Sequence, residues 1–226
     1  MKTVGSILEA CRFRHSWGRL LKIAFLVLAL MPVPAGAEDS GKVSAFFEHS
    51  FTYEAQENYA AALNSVLQVL KLDGQNYTAA LRAGWLAYLK QDYARSSAYY
   101  QKAILLAPIA VEPLLGHLLP LMAEGKWQAA ESVARSILTI DQDNYLAESK
   151  LAYSLFSQGE YREAQGFYRK IVASYPADID MKLGLAWSCL KGRDEREAER
   201  LFREVLTVRP NNPNALAGIE IIENSK

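Results

Sequence analysis

A set of residue types recurs at a fixed interval of 34 along this chain, from Val43 to Asn212, without insertion or deletion. A small residue is needed where two helices cross closely, because a larger side chain would separate their backbones. An interval of this length is typical of one helix–turn–helix unit, which buries its apolar face only against neighbouring units. The small residues in register are Ala62, Ser96, Ala130, Ala164 and Ala198. We therefore predict an all-α stack of five helical hairpins.

Other positions of the interval support the same register. Proline, which stops a helix, stands at one position in three units, and turn residues fall near 57–58, 91–92, 125–126, 159–160 and 192–194. Four of the five units have an aromatic residue three positions before the small one: Tyr59, Tyr93, Trp127 and Tyr161, with Glu195 in the fifth. An apolar column follows at Val69, Ala103, Ile137, Ile171 and Val205. The second helix of each unit is thus predicted to have one buried stripe.

These residues resemble the tetratricopeptide repeat family. The unit 145–178 matches best, with Leu151, Ala152, Leu155, Gly159, Tyr161, Ala164, Tyr168, Ile171 and Pro176 on the signature positions. The resemblance implies a right-handed α-solenoid of five units with a C-terminal capping helix; the composition of the first 37 residues, described below, adds a signal peptide before it. The predicted segments are a signal peptide 1–37, a short linker 38–42, five units 43–76, 77–110, 111–144, 145–178 and 179–212, and a capping helix and tail 213–226.

Two units depart from the pattern of the family. The third has Leu118 where a small residue is expected, and Pro120 in the middle of its first helix predicts a local kink. The first has His49 and Ser50 at the paired apolar and small positions. The boundary of the first unit is therefore the least well defined by the sequence.

The first 37 residues have the composition of a secretory leader. Five basic residues precede an apolar run from Ile23 to Met31, and small residues follow at Ala35, Gly36 and Ala37, as a signal peptidase requires. A membrane-spanning helix needs about 20 apolar residues, so no stable membrane span is expected. The sequence predicts cleavage after Ala37 and export to the periplasm.

The charge of the chain argues against some classes of partner. The full chain has 25 basic and 25 acidic residues, of which five basic and one acidic lie in 1–37, so 20 basic and 24 acidic residues remain after cleavage. A net charge of −4 is unsuited to coating nucleic acid or an anionic membrane surface. We therefore expect no nucleic-acid partner.

The sequence lacks recognisable catalytic and metal-binding motifs. His49 and His117 have no cysteine or acidic partner at ligand spacing, whereas a zinc site needs three or four ligands; both histidines are expected at a helix interface. There is no glycine-rich phosphate loop, nucleophile elbow or HExxH pattern. Cys189 is expected to be a core thiol, and the alternating charges of 193–197 are typical of a solvated helix face. We predict no enzyme activity, no metal and no cofactor.

Large apolar residues run through the first helices of the units. The resemblance implies that the ninth and twelfth positions of these helices face a concave groove. Nine of the ten residues at these positions are apolar or aromatic, and the tenth is Glu54. The nine, which we call the ladder, are Phe51, Trp85, Tyr88, Leu119, Met122, Tyr153, Phe156, Trp187 and Leu190. Arg82, Lys150 and Glu54 are polar groups that could orient a bound chain.

The ladder admits two structural interpretations. It either thickens the core, as aromatic stripes at helical spacing commonly do, or forms pockets for the apolar side chains of an extended peptide or helix. The leading hypothesis is a non-catalytic periplasmic adaptor that binds a protein partner of the cell envelope. The family resemblance implies envelope-assembly, secretion or exopolysaccharide machinery as the setting.

Two other functions compete with the adaptor. In the first, Trp85, Tyr153 and Trp187 stack on the sugar rings of a glycan, although few polar groups stand near them for the hydroxyls. In the second, the groove receives the terminal helix of another copy, giving a head-to-tail homo-oligomer. That version requires Leu216, Ile219 and Ile222 to be exposed on one side of the helix.

Overall fold

The computed structural model of the chain describes residues 35–225, with side chains from residue 39 onward. Of the described residues, 45–225 form one compact unit, and 35–44 lie outside it. The predicted signal peptide lies almost entirely outside the described residues, so cleavage after Ala37 stays a prediction. None of the helices within 35–225 combines the length and apolarity needed to cross a membrane.

Residues 35–225 contain eleven helices and no strand, which confirms the all-α prediction. The helices are α1 (Ala35–Ala55), α2 (Tyr59–Leu72), α3 (Tyr77–Leu89), α4 (Tyr93–Leu106), α5 (Val111–Ala123), α6 (Trp127–Ile140), α7 (Tyr145–Gln158), α8 (Tyr161–Ser174), α9 (Ile179–Lys191), α10 (Glu195–Val208) and α11 (Pro213–Glu223). Odd-numbered helices up to α9 are the first helices of the five units, and even-numbered helices are the second. The five predicted turns all fall between the two helices of a unit.

The predicted linker 38–42 is helical and belongs to α1; the boundaries of the segments stay a prediction. The only break signal in this stretch is Gly41, and a single glycine lowers helix stability by only about 1 kcal/mol. As a result α1 has 21 residues, whereas the first helix of the second unit has 13.

Each hairpin turn contains one residue in the left-handed backbone region. The five residues are Glu57, Gln91, Gly125, Gly159 and Arg193, with φ between 57° and 87°. They occupy the same position of the 34-residue unit. The left-handed residue of the fifth turn is thus Arg193, and its neighbour Gly192 has φ −80°.

Polar side chains cap most of the helices. Each of these caps accepts a hydrogen bond from the backbone N–H three residues further on, which satisfies a donor that the helix cannot. The capping residues are Asn58, Asn76, Asp92, Asn144, Asp178, Asp194 and Asn212. They recur at two positions of the unit, so the starts of first and second helices are both fixed by the repeat.

The core follows the predicted small and apolar columns. The five small residues of the second helices are fully buried. In the third unit Leu118 is buried at 1% exposure, and α5 continues through Pro120, which is also buried. Because proline has no N–H, Pro120 cannot donate the helical hydrogen bond to the carbonyl of Gly116. The helix is thus not interrupted at Pro120, and the kink stays a prediction.

The last helix covers the fifth unit, as a capping helix should. Ala215, Gly218 and Ile222 of α11 are buried, whereas Leu216 is exposed. Since Ile222 faces the core, the expectation that Leu216, Ile219 and Ile222 share an exposed side is wrong.

Candidate functional site

All nine ladder residues lie on first helices, and none of them is buried. Phe51, Tyr153 and Trp85 are 58%, 46% and 37% exposed, and the other six are half-buried. Four of those six also pack against the core: Met122, Phe156, Trp187 and Leu190. The ladder is therefore a layer that rests on the core and keeps accessible apolar surface; its use in binding stays a prediction.

Two pockets open along the ladder at equivalent places in the repeat. The N-terminal pocket, of about 510 Å³, is lined mainly by α3 and α5. The C-terminal pocket, of about 630 Å³, is lined mainly by α7 and α9. Their lining residues correspond at an offset of 68 residues, which is two units. The corresponding pairs are Arg82 and Lys150, Trp85 and Tyr153, Tyr100 and Tyr168, Glu112 and Asp180, Gly116 and Gly184, and Leu119 and Trp187.

The floor of each pocket is a tyrosine ring packed against a glycine of the next unit. A Cβ atom on Gly116 would lie 2.2 Å from Cε1 of Tyr100, and one on Gly184 would lie 2.4 Å from Cε1 of Tyr168. No side chain fits at such distances, so glycine is required while the ring stays in place. The ring thus occupies the place where a side chain of the first helix would begin, and it closes the bottom of the pocket.

This aromatic–glycine pairing recurs along the array. Phe202 packs in the same way against Gly218, where a Cβ would lie 2.3 Å from the ring. The two remaining units have Val66 and Ala134 in place of the aromatic residue, and the position 16 residues later is then Arg82 or Lys150 instead of glycine. At each junction between neighbouring units, the sequence therefore pairs either an aromatic residue with a glycine or a smaller residue with a long basic one.

The charged groups of the N-terminal pocket are satisfied within the protein. Arg82 lies 2.6 Å from a carboxylate oxygen of Glu54, donates to Oγ of Ser50 at 2.9 Å, and stacks 3.6 Å from the centroid of the Phe51 ring. Nε1 of Trp85 donates to the other carboxylate oxygen of Glu54 at 2.7 Å. Arg82 and Glu54 thus orient each other and the ring of Trp85.

Glu112, on the opposite side of the N-terminal pocket, is also engaged. It accepts a hydrogen bond of 2.5 Å from the hydroxyl of Tyr77. Burial, followed by this hydrogen bond, raises the pKa of Tyr77, so the hydroxyl remains a donor at neutral pH. The N-terminal pocket consequently presents mainly apolar surface.

The C-terminal pocket has the same charge pattern without the internal pairing. Lys150 and Asp180, which correspond to Arg82 and Glu112, make no hydrogen bond or ion pair with any described residue. Ser149, beside Lys150, donates to the carbonyl of Leu146 at 2.9 Å. An ammonium group and a carboxylate therefore flank this pocket with their hydrogen-bonding capacity unused.

The two floor tyrosines have unused hydroxyls. Tyr100 and Tyr168 are each 3% exposed, and neither hydroxyl has a hydrogen-bond partner among residues 35–225. The hydroxyl oxygens are not among the fully buried unpaired atoms, so each retains some access. Burial raises the pKa of both, and both are donors at neutral pH. A buried tyrosine usually finds a partner for its O–H, which makes the two hydroxyls candidate ligand contacts.

The remaining candidate groups do not form a reactive site. His117 is 6% exposed with Nε2 unpaired, and burial lowers its pKa, as expected at a helix interface. His49 is exposed, so the same expectation for it is wrong; it lies on the first helix of the first unit. Cys189 is buried as predicted, with a pKa raised to about 11 by burial. The described residues contain no cluster of three metal-ligating side chains.

Two family models match segments of this chain. Models described as tetratricopeptide repeat match residues 52–110 and, in two overlapping segments, residues 121–187 and 155–219. Together with the fold, these matches show that the chain belongs to the tetratricopeptide repeat family. A comparison with curated proteins finds no match.

Solved structures share the same architecture at low sequence identity. A tetratricopeptide repeat protein from Parabacteroides merdae has a TM-score of 0.75 at 14% identity, over 80% of this chain and 72% of that one. MamA from Desulfovibrio magneticus has a TM-score of 0.71 at 14% identity, over 76% and 97%. YrrB, described as having an unusual peptide-binding site, has a TM-score of 0.69 at 15% identity, over 77% and 90%. At these identities the likeness establishes the fold.

The sequence predicted pockets along the ladder but not the tyrosine and glycine residues that form their floors. The signal for them is a pair of positions 16 residues apart, an aromatic residue followed by glycine, as in Tyr100 with Gly116 and Tyr168 with Gly184. The two members lie in different units, so they are not seen when each column of the repeat is inspected separately.

Proposed function

We propose that this protein is a non-catalytic adaptor of the bacterial periplasm, whose ladder binds a segment of a protein partner from the cell envelope. The observation that carries the proposal is that large apolar side chains recur in all five units at positions where none of them is buried. Contiguous exposed apolar surface of several hundred Å² usually marks an interaction site. Aromatic residues are favoured at such sites because they bury a large area with few rotatable bonds.

In the N-terminal pocket, the state of the polar groups favours a peptide over a glycan. A sugar site pairs aromatic rings with several polar side chains that bind the hydroxyls. In the N-terminal pocket Arg82, Glu54 and Glu112 are occupied by partners within the protein. The surface that remains there suits an apolar side chain.

Affinity capture from a detergent-solubilised envelope extract tests the proposal. The chain from Glu38 onward is compared with a triple variant, Trp85→Ala, Tyr153→Ala and Trp187→Ala. The matched control removes three exposed apolar side chains that line neither pocket, Leu105→Ala, Ile109→Ala and Val208→Ala. Circular dichroism verifies that all three proteins are folded.

A protein retained by the wild type and the control, and lost by the ladder variant, supports the adaptor. Equal capture by all three proteins, or no specific capture, contradicts binding through the ladder.

The periplasmic location has a separate test. Intact-mass analysis of the protein purified from the periplasmic fraction is expected to give a chain that begins at Glu38. Recovery of the full-length chain from the cytosol alone would contradict export.

A further inference from the structure

We infer that the two pockets bind one extended segment of a protein partner through two large apolar side chains six residues apart, which makes the partner's segment bipartite. This inference rests on the proposed function. The pockets use the same positions of the repeat and differ by two units. A ligand that fits one pocket therefore has a second site of similar shape within reach.

The spacing follows from helix packing. The first helices α3, α5, α7 and α9 contact one another in succession, and packed helices lie about 8–10 Å apart. Two such steps separate the pocket at α3 and α5 from the pocket at α7 and α9, a distance of about 16–20 Å. An extended chain advances about 3.3 Å per residue, so five or six residues span the distance.

The alternation of side chains along an extended chain selects a separation of six residues between the two anchors. Successive side chains of an extended chain point to opposite sides, so two side chains face the same surface only at an even separation. Both anchors must enter the floor of one groove. Positions i and i+6 satisfy the length and the parity together, whereas i+5 and i+7 direct one anchor away from its pocket.

Unused polar groups favour an extended segment over a helix. The backbone groups of a helix are already paired within the helix, whereas an extended chain offers free N–H and C=O groups. The hydroxyls of Tyr100 and Tyr168 can donate to such carbonyls, and Asp180 can accept from an N–H. None of these three side chains makes a hydrogen bond or an ion pair with a described residue. A helix would leave them unpaired.

A spacing series of synthetic peptides tests the inference. The probes are fluorescein-labelled 14-residue peptides of alternating threonine and serine with two phenylalanines separated by 4, 5, 6, 7, 8 or 11 positions, and affinity is measured by anisotropy. A second anchor converts a bimolecular step into an intramolecular one, so we expect the i, i+6 peptide to bind about tenfold or more tighter than the i+5 and i+7 peptides. A flat series, or a maximum at the helical separation of 11, overturns the inference.

Variants in each pocket show whether both are used. Trp85→Ala removes the rim of the N-terminal pocket and Tyr153→Ala the equivalent rim of the C-terminal pocket. Each is expected to abolish the advantage of the i, i+6 peptide, while the control Leu105→Ala preserves it. If only one of the two variants matters, the ligand is not bipartite.

The floor hydroxyls have a test of their own. Tyr100→Phe and Tyr168→Phe keep the rings and remove only the unpaired O–H, so the free energy of unfolding should not fall. We expect each variant to weaken the i, i+6 peptide severalfold, as the loss of one hydrogen bond does. Unchanged affinity would contradict donation to the bound chain.

The results also separate this inference from the proposed function. Envelope capture that depends on the ladder, combined with a flat peptide series, leaves the adaptor standing and rejects the bipartite segment. Loss of ladder-dependent capture rejects the adaptor itself.

Discussion

The two pockets are built from the same positions of the repeat, yet their chemistry differs. In the N-terminal pocket the basic residue Arg82 is clamped by Glu54 and stacked on Phe51. In the C-terminal pocket the equivalent Lys150 has no partner among the described residues. A single backbone template therefore carries one apolar, internally satisfied pocket and one pocket whose charged side chains make no hydrogen bond or ion pair with the described residues.

The helices that form the walls differ as well. Gly184 in α9 has a carbonyl that accepts from Oγ of Ser188 at 2.7 Å, whereas the equivalent carbonyl of Gly116 faces Pro120, which has no N–H to donate. The next residue in α5 is the buried His117, where α9 has Leu185. The wall of the N-terminal pocket thus combines a lost hydrogen bond with a buried titratable group.

This comparison separates affinity from selectivity. Burying an apolar side chain contributes about 1.5–3 kcal/mol whatever residues surround it in the partner. Charged groups, by contrast, discriminate between partners because like charges repel and unpaired ones are costly. We expect the N-terminal pocket to anchor the partner and the C-terminal pocket to select it.

The largest expected effect comes from filling the glycine junctions. Gly116→Ala and Gly184→Ala each place a Cβ against a buried tyrosine ring, and overpacking of this kind lowers the free energy of unfolding by about 1–3 kcal/mol. The matched control is Gly166→Ala in α8, where a Cβ meets nothing within 4 Å. It should raise stability by about 0.5–1 kcal/mol. Urea denaturation measures all three; equal effects at the three sites would remove the packing argument for the pocket floors.

A smaller effect tests the internal pairing of the N-terminal pocket. The Arg82 side chain is only 11% exposed, and Glu54→Gln removes the carboxylate charge that pairs with it. This loss should lower the free energy of unfolding by about 1–2 kcal/mol. Lys150→Gln removes a charge without a partner and should change it by less than about 0.5 kcal/mol. Chemical denaturation at constant pH distinguishes the two substitutions. Similar losses would mean that the two pockets are not electrostatically different.

The smallest expected effect concerns pH and the wall of the N-terminal pocket. Burial, and then Lys126, lower the pKa of His117 in the folded state, so the unfolded chain binds the proton more tightly. The contribution of neutral His117 to the free energy of unfolding is therefore fully present above about 6.5, the pKa of histidine in the unfolded chain. This contribution falls as the pH drops below that value, by at most about 1.4 kcal/mol per pH unit. His117→Leu places at this position the residue type of the equivalent Leu185 in α9. The substitution should weaken the pH dependence of the free energy of unfolding between pH 7 and pH 5. An identical decline in the variant would assign the pH dependence to other groups.

Much of this architecture could be predicted because each position of the repeat occurs five times in the sequence. The turns lie where the register places them, and the small column is buried throughout. The boundary at the first unit could not be predicted in this way, because no repeat precedes it to define the register. His49, in this first unit, is accordingly the histidine whose predicted burial is wrong.

The floors of the pockets could not be predicted from the columns because they arise between units. Tyr100 determines what is allowed at Gly116, and the two positions belong to different repeats and different helices. The pairing of Arg82 with Glu54 likewise joins residues 28 apart. Periodicity locates each residue on its helix; contact across a junction depends on the size and charge of both members.

Photocrosslinking in cells tests most directly whether the ladder holds a protein partner. The photoreactive residue p-benzoylphenylalanine replaces Trp85, Tyr153 or Leu105 in turn, and the crosslinked products are identified by mass spectrometry. The account predicts that the substitutions at 85 and 153 crosslink to the same envelope protein and that the exposed control at 105 does not. The same products from position 105, or no products from positions 85 and 153, would contradict it.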